Sequence, residues 1–152
     1  MERGIVLKTR RALLRLALLL GTPLGWAGSR SVVLVVRADS PISDLDSVTV
    51  RKLFLGVPVL VNGSPLRPIR NRSDSQLDLV FLQQIAAMSQ TAYDRQILIG
   101  VNRQGWLRPE ELDSTDRILQ KLYADPHAVT FVWEHDAAHN PKIRVIRVLW
   151  TD

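Results

Sequence analysis

The run SVVLVVR, residues 31–37, constrains the fold of this 152-residue chain more than any other segment. β-Branched side chains are stiff at χ1 and pack well on a pleated surface, so they favour extended backbone. An unbroken apolar run, in place of in-and-out alternation, marks a buried strand. Asp39, Ser40 and Pro41 supply the turn that ends it.

The rest of the chain supplies the helices such a strand needs as cover. From 46 to 54, Val48, Val50, Leu53 and Phe54 recur near helical spacing and Gly56 follows as a stop, with Ser43 or Asp44 able to start the element. Asn62-Gly63-Ser64-Pro65 is a turn between two strand-like pieces, 57–61 and 66–70. Ser73 or Asp74 then caps a long helix whose Leu77, Val80, Phe81, Gln84, Ile85 and Met88 form one core stripe. Ser89 and Thr91 restart a helix through Leu98, ended by Gly100. Residues 101–114 are expected as a surface loop carrying Trp106, or as a loop whose tryptophan tucks under a lobe edge. Ser114 or Thr115 caps a further helix stopped by Asp125-Pro126, and residues 129–133 and 143–150 are expected strands. Helices alternating with β-branched strands predict an α/β layered architecture.

The first 27 residues form an export signal. Arg3, Lys8, Arg10, Arg11 and Arg15 precede or enter an apolar run from Leu16 to Leu24, and the small residues Gly25 and Ala27 predict cleavage after Ala27. Gly21 and Pro23 interrupt the run, which is shorter than the roughly 20 residues a membrane span requires. Residues 9–15, TRRALLR, also resemble a twin-arginine motif, which leaves the export route open. Removing the signal takes away five basic residues and one acidic one, leaving 15 against 14 in residues 28–152, a net +1. That balance gives no indication of a nucleic-acid partner. Without cysteine the chain has no disulfide, thiolate nucleophile or cysteine metal site. The 125 residues from 28 to 152 suffice for one domain, not for two lobes of ordinary size.

The most informative site signal lies where the strand ending RPIRNR, residues 67–72, turns into a helix through Ser73-Asp74-Ser75. The first N–H groups of a helix lack intrahelical partners and carry partial positive charge, so an anion can sit there. Arg70 and Arg72 add full charges, and Ser73 and Ser75 stand at the helix start. These four are the candidate ligand-binding residues. The same arginines, with Arg67, also fit a solvated strand edge whose charge discourages edge pairing.

At these residues the chain resembles the phosphate-binding periplasmic proteins of ABC importers. Their second lobe carries an "IFLG" helix end, then "G-x-P…V/I-x-x-R", then Asp-Gly-Ser-Gly-Thr opening a helix that contains Val-Phe. Residues 53–56, Asn62 to Pro65, Arg70, Ser75 and Val80-Phe81 follow that order and spacing. A weaker likeness runs through Tyr93, Gly100 and Pro109 to residues 118–132, where the family has a helix followed by "PGAIGYV". The resemblance covers most of 32–132. It implies a periplasmic-binding-protein-like lobe, a mixed sheet flanked by helices, with an oxyanion held at Arg70 and Ser75 and a periplasmic location. The family's two loop glycines and threonine are Asp74, Gln76 and Leu77 here, and two glycines of its later motif are His127 and Thr130. His127 could reach an anion or be merely exposed.

Other chemistry is sparse. Glu134 to His139 places two histidines four apart around Asp136, but a polar loop between strands is expected there, so no metal site is assigned. No nucleophile elbow, P-loop or dinucleotide fingerprint occurs, and neither an enzyme nor a cofactor is expected. Two function classes follow. One is an exported solute-binding domain for a phosphate-like oxyanion serving ABC transport. The other is a non-transport accessory or sensory module of the cell envelope, working with a membrane protein or by self-association.

Overall fold

The structure is a computed structural model that describes residues 30–152. The expected signal peptide and its cleavage site lie outside the described residues.

Strand β1 (Ser31–Arg37) has the buried character that its composition predicts, with Val32 to Val36 all at zero exposure. Asp46 caps helix α1 (Ser47–Phe54): its carboxylate accepts from the N–H groups of Val48 and Thr49, both at 3.0 Å. Gly56 follows at φ +89°, where a Cβ would stand 2.8 Å from the Leu107 carbonyl oxygen. A tight hairpin, β2 (Leu60–Val61) and β3 (Ser64–Pro65), turns on Asn62-Gly63 and leads into β4 (Arg67–Asn71). The first expected strand piece, 57–61, is thus cut to its last two residues, whereas the second, 66–70, is matched within one residue by β4.

Helix α2 (Ser75–Val80) is capped by Asp74 and continues as a π-helical segment, Phe81–Ala86, closed by Ala87 at φ +55°. The long helix expected here is therefore continuous, but its second half widens to π geometry. Its stripe survives in part: Leu77, Phe81 and Ile85 are buried, and Gln84 is exposed. Ser89 caps α3 (Gln90–Ile99), which also ends in a π turn, Gly100–Gln104. Next come β5 (Glu110–Leu112), then α4 (Thr115–Ala124) capped by Ser114 and β6 (Ala128–Trp133). Last are the short helix α5 (Glu134–Ala138) and β7 (Ile143–Thr151). Two expectations are corrected. The loop at 101–114 contains an edge strand, β5, and the polar loop at 134–139 is mostly helix.

The strands form one mixed sheet in the order β5-β4-β6-β1-β7, with β4, β5 and β6 parallel and β1 antiparallel to both β6 and β7. Alternating residues of β1 and β6 serve two cores. Val32, Leu34, Phe131 and Trp133 meet α1, α2 and α3, whereas Val33, Val35 and Val132 meet α4 and α5. The first core is aromatic: Phe81 stacks on Phe131 at 4.9 Å and meets Phe54 and Tyr93 edge-on at 5.5 and 5.6 Å. Burying one such side chain stabilises by about 1.5–3 kcal/mol, with up to about 1.5 more from ring geometry. The chain is an α/β domain with a sheet covered on both faces.

Candidate functional site

β4 and β6 run parallel, so their C-terminal ends meet the starts of α2, α4 and α5 at one end of the sheet, where α/β proteins usually hold ligands. A crevice of about 230 Å³ opens there, and Ser73, Asp74, Thr115, Trp133, Asp136 and Asn140 line it. Its two charged lining groups are carboxylates.

Arg70 does not reach this crevice. Its side chain has zero exposure and lies between α2 and α3, its guanidinium 5.0 Å from the ring of Phe81 and 4.7 Å from that of Tyr93. Nε donates to Asp78 Oδ1 at 2.9 Å, Nη2 to Gln90 Oε1 at 2.7 Å, and Nη1 to Glu111 Oε1 at 3.3 Å. Arg72, nearly half exposed, reaches the same two acids, at 3.5 Å to Asp78 and 3.3 Å to Glu111. Two cations and two carboxylates thus form one network on the α2 side of β4. Tyr93 closes it: its hydroxyl donates to the Phe54 carbonyl at 2.7 Å, and burial pushes its pKa well up.

The helix start is also occupied. Asp74 Oδ1 accepts from the N–H groups of Gln76 and Leu77 at 2.7 and 3.0 Å, and Oδ2 accepts from Trp133 Nε1 at 3.4 Å. The Leu77 N–H foremost, then those of Gln76 and the Trp133 indole, hold the Asp74 carboxyl below the ordinary carboxylate range against an opposing desolvation. Ser73 donates its hydroxyl to Asn71 Oδ1 at 2.7 Å, and Asn71 in turn donates to the Phe131 carbonyl at 3.0 Å. Ser75 is exposed at the first helical position.

The four residues singled out from sequence therefore separate. Arg70 and Arg72 share an internal ion network, Ser73 lines the crevice, and Ser75 faces solvent. Sequence reasoning missed Asp78, Gln90 and Glu111. Asp78 lies one turn into α2 on the side facing Arg70, a spacing that could have suggested it, whereas Glu111 sits on the unforeseen β5. His127 precedes β6 at the opposite end of the sheet, 3.8 Å from Asp125, so it lies far from the Asp74 turn. His135 and His139 are exposed. His135 meets Asp136 at 3.0 Å, and His139 Nδ1 lies 2.7 Å from the His135 carbonyl. Among the described residues no group of three metal-ligating side chains occurs, and no helix is long and apolar enough to cross a membrane.

No protein-family model and no curated protein matches the sequence. Solved structures do. PstS from Borrelia burgdorferi superposes with a TM-score of 0.55 at 12% identity over 78% of this chain and 47% of its own. A protein from Clostridium perfringens, assigned as a phosphate ABC transporter substrate-binding protein and solved with bound phosphate, superposes with a TM-score of 0.52 at 10% identity. That match covers 78% of this chain and 45% of the other. The chain has a periplasmic-binding-protein fold and spans about half the length of these proteins.

Proposed function

We propose that this chain is an exported interaction module of the cell envelope, built on one binding-protein lobe and not acting as a solute carrier. The observation that carries the reading is the occupation of the helix start by Asp74. A carboxylate of the chain itself takes the two N–H groups that would cradle an anion, and it would repel one approaching from solvent. The pairing of Arg70 and Arg72 with Asp78 and Glu111 supports it too, since an oxyanion would have to displace two carboxylates to gain those charges.

The leader, with cleavage after Ala27, would deliver the domain to the periplasm, and its partner is an envelope membrane protein or a second copy of itself. The alternative, an oxyanion carrier using Arg70, Arg72, Ser73 and Ser75 for ABC transport, is supported by the fold alone. Titrating purified residues 28–152 with phosphate, sulfate and molybdate separates the two. Dissociation constants of about 1 mM or weaker, near −4 kcal/mol, are expected. Micromolar binding by a monomer would overturn the interaction-module reading.

A further inference from the structure

We propose that a second cavity, at the opposite end of the parallel strands, binds a small amphipathic organic anion: a carboxylate on an apolar body. Because β4, β5 and β6 are parallel, their N-terminal residues Arg67, Glu110 and Ala128 gather at one end, and the last turn of α4 closes over them. The cavity there has a volume of about 450 Å³, within the roughly 300–1,000 Å³ usual for small-ligand sites. It is separate from the crevice beside Asp74, with which it shares no lining residue.

Its floor is apolar: Leu66, Ile69 and Ala128 line it and are 6%, 3% and 2% exposed. Its rim carries Leu107, the most exposed large apolar side chain among the described residues at 84%. The rim is fixed, because the Leu107 carbonyl lies against Gly56, where a Cβ would approach to 2.8 Å, and Pro109 behind it is buried. An apolar body lying over the floor would cover Leu107, and that burial supplies the driving force.

Charge chooses the head group. Arg67 pairs with Asp125 at 2.8 Å and Lys121 with Glu110 at 3.2 Å, which neutralises four of the five charged lining groups. The fifth, Arg108, is exposed and makes no ion pair among the described residues. It follows Leu107 directly, so cation and apolar rim are adjacent, the arrangement that a carboxylate with a short apolar tail requires. α4 ends here, and Lys121 in its last turn offsets the partial negative charge of its terminal carbonyls.

The test uses octanoate, octylammonium and inorganic phosphate against the ¹⁵N-labelled purified protein. Octanoate should produce saturable amide shifts at Leu66, Ala124 and Ala128, with octylammonium and phosphate producing little at those positions. Arg108→Glu should weaken octanoate by about tenfold, the loss of one charge-assisted contact. Leu107→Ser should weaken it as well, and both exposed substitutions should leave the melting temperature unchanged. Shifts confined to another part of the molecule, no saturable shifts, or equal binding of octylammonium would each overturn the proposal.

Discussion

Replacing Arg70 by Met keeps the length and the apolar stem of the side chain but removes the charge at the centre of the ion network. Arg70 is fully buried, and the side chains of its partners Asp78 and Glu111 are 16% and 26% exposed. Removing one member of a buried ion pair costs about 3–5 kcal/mol, because the partner is left uncompensated in a poorly solvated place. The residual exposure of both acids lets water recover part of that, so the lower end, about 3 kcal/mol, is expected. For a domain of this size each kcal/mol moves the melting temperature by about 4 °C, giving a drop of about 12 °C. Calorimetric melting measures it, with a parallel phosphate titration of the same variant. Adding Asp78→Asn should restore part of the loss, since it removes one stranded carboxylate. If Arg70→Met melts within about 4 °C of the parent while losing oxyanion affinity, the guanidinium is a ligand and the structural reasoning fails.

Two further substitutions probe the site and its frame. Asp74→Ala should cost about 1 kcal/mol as a lost helix cap, and it should strengthen phosphate binding by freeing the Gln76 and Leu77 N–H groups. Because the folded Asp74 pKa is depressed, its contribution is fully present above the unfolded value of about 3.9 and is lost as pH falls through the lower folded value. The stability gap between parent and Asp74→Ala should therefore close in acid, and a gap that stays constant to pH 2 would contradict the capping role. Gly100→Ala would put a Cβ 2.4 Å from Trp106 Cε3, so the indole must move, at a cost of about 1–3 kcal/mol. Tryptophan emission should shift red with that displacement, and an unchanged spectrum and melting point would show that the contact is not a constraint.

How much of this was legible depended on where the signal lay. β1 and β6 were readable from their apolar runs, β7 because Ile143 and Val145 alternate with Arg144 and Arg147, and α1 and α4 because Val50, Leu53, Ile118 and Leu122 hold helical spacing. The helix from Ser75 was placed correctly, but its change to π geometry at Phe81 leaves the apolar spacing almost unaltered and so left no trace. β5 was invisible because Glu110, Glu111 and Leu112 carry two acids in three residues, and only pairing with β4 makes them a strand. Arg70 shows the limit most clearly. An arginine before a capped helix start has the same local pattern whether it faces an anion in solvent or a carboxylate inside the protein. The partner that distinguishes the two, Glu111, lies 41 residues further along the chain. The sheet as a whole, mixed and flanked by helices, followed from local pattern and resemblance, whereas the fate of each charge needed tertiary structure.

The position of β1 sets the order in which the molecule can be assembled. This strand stands second from one edge of the sheet, yet both of its neighbours lie far along the chain: Leu34 faces Phe131 on one side and Arg147 on the other. Both partners are roughly a hundred residues away in sequence, so the loop to be closed is long and folding is correspondingly slow. A ribosome that has delivered β1, α1, α2, α3 and α4 has made a hydrophobic ribbon with unpaired edges on both sides. The sheet closes around it only when β6 and β7 have left the ribosome, so this domain cannot complete its fold before Thr151 is released. During that interval five adjacent apolar side chains must be shielded by another protein or by the speed of the final step.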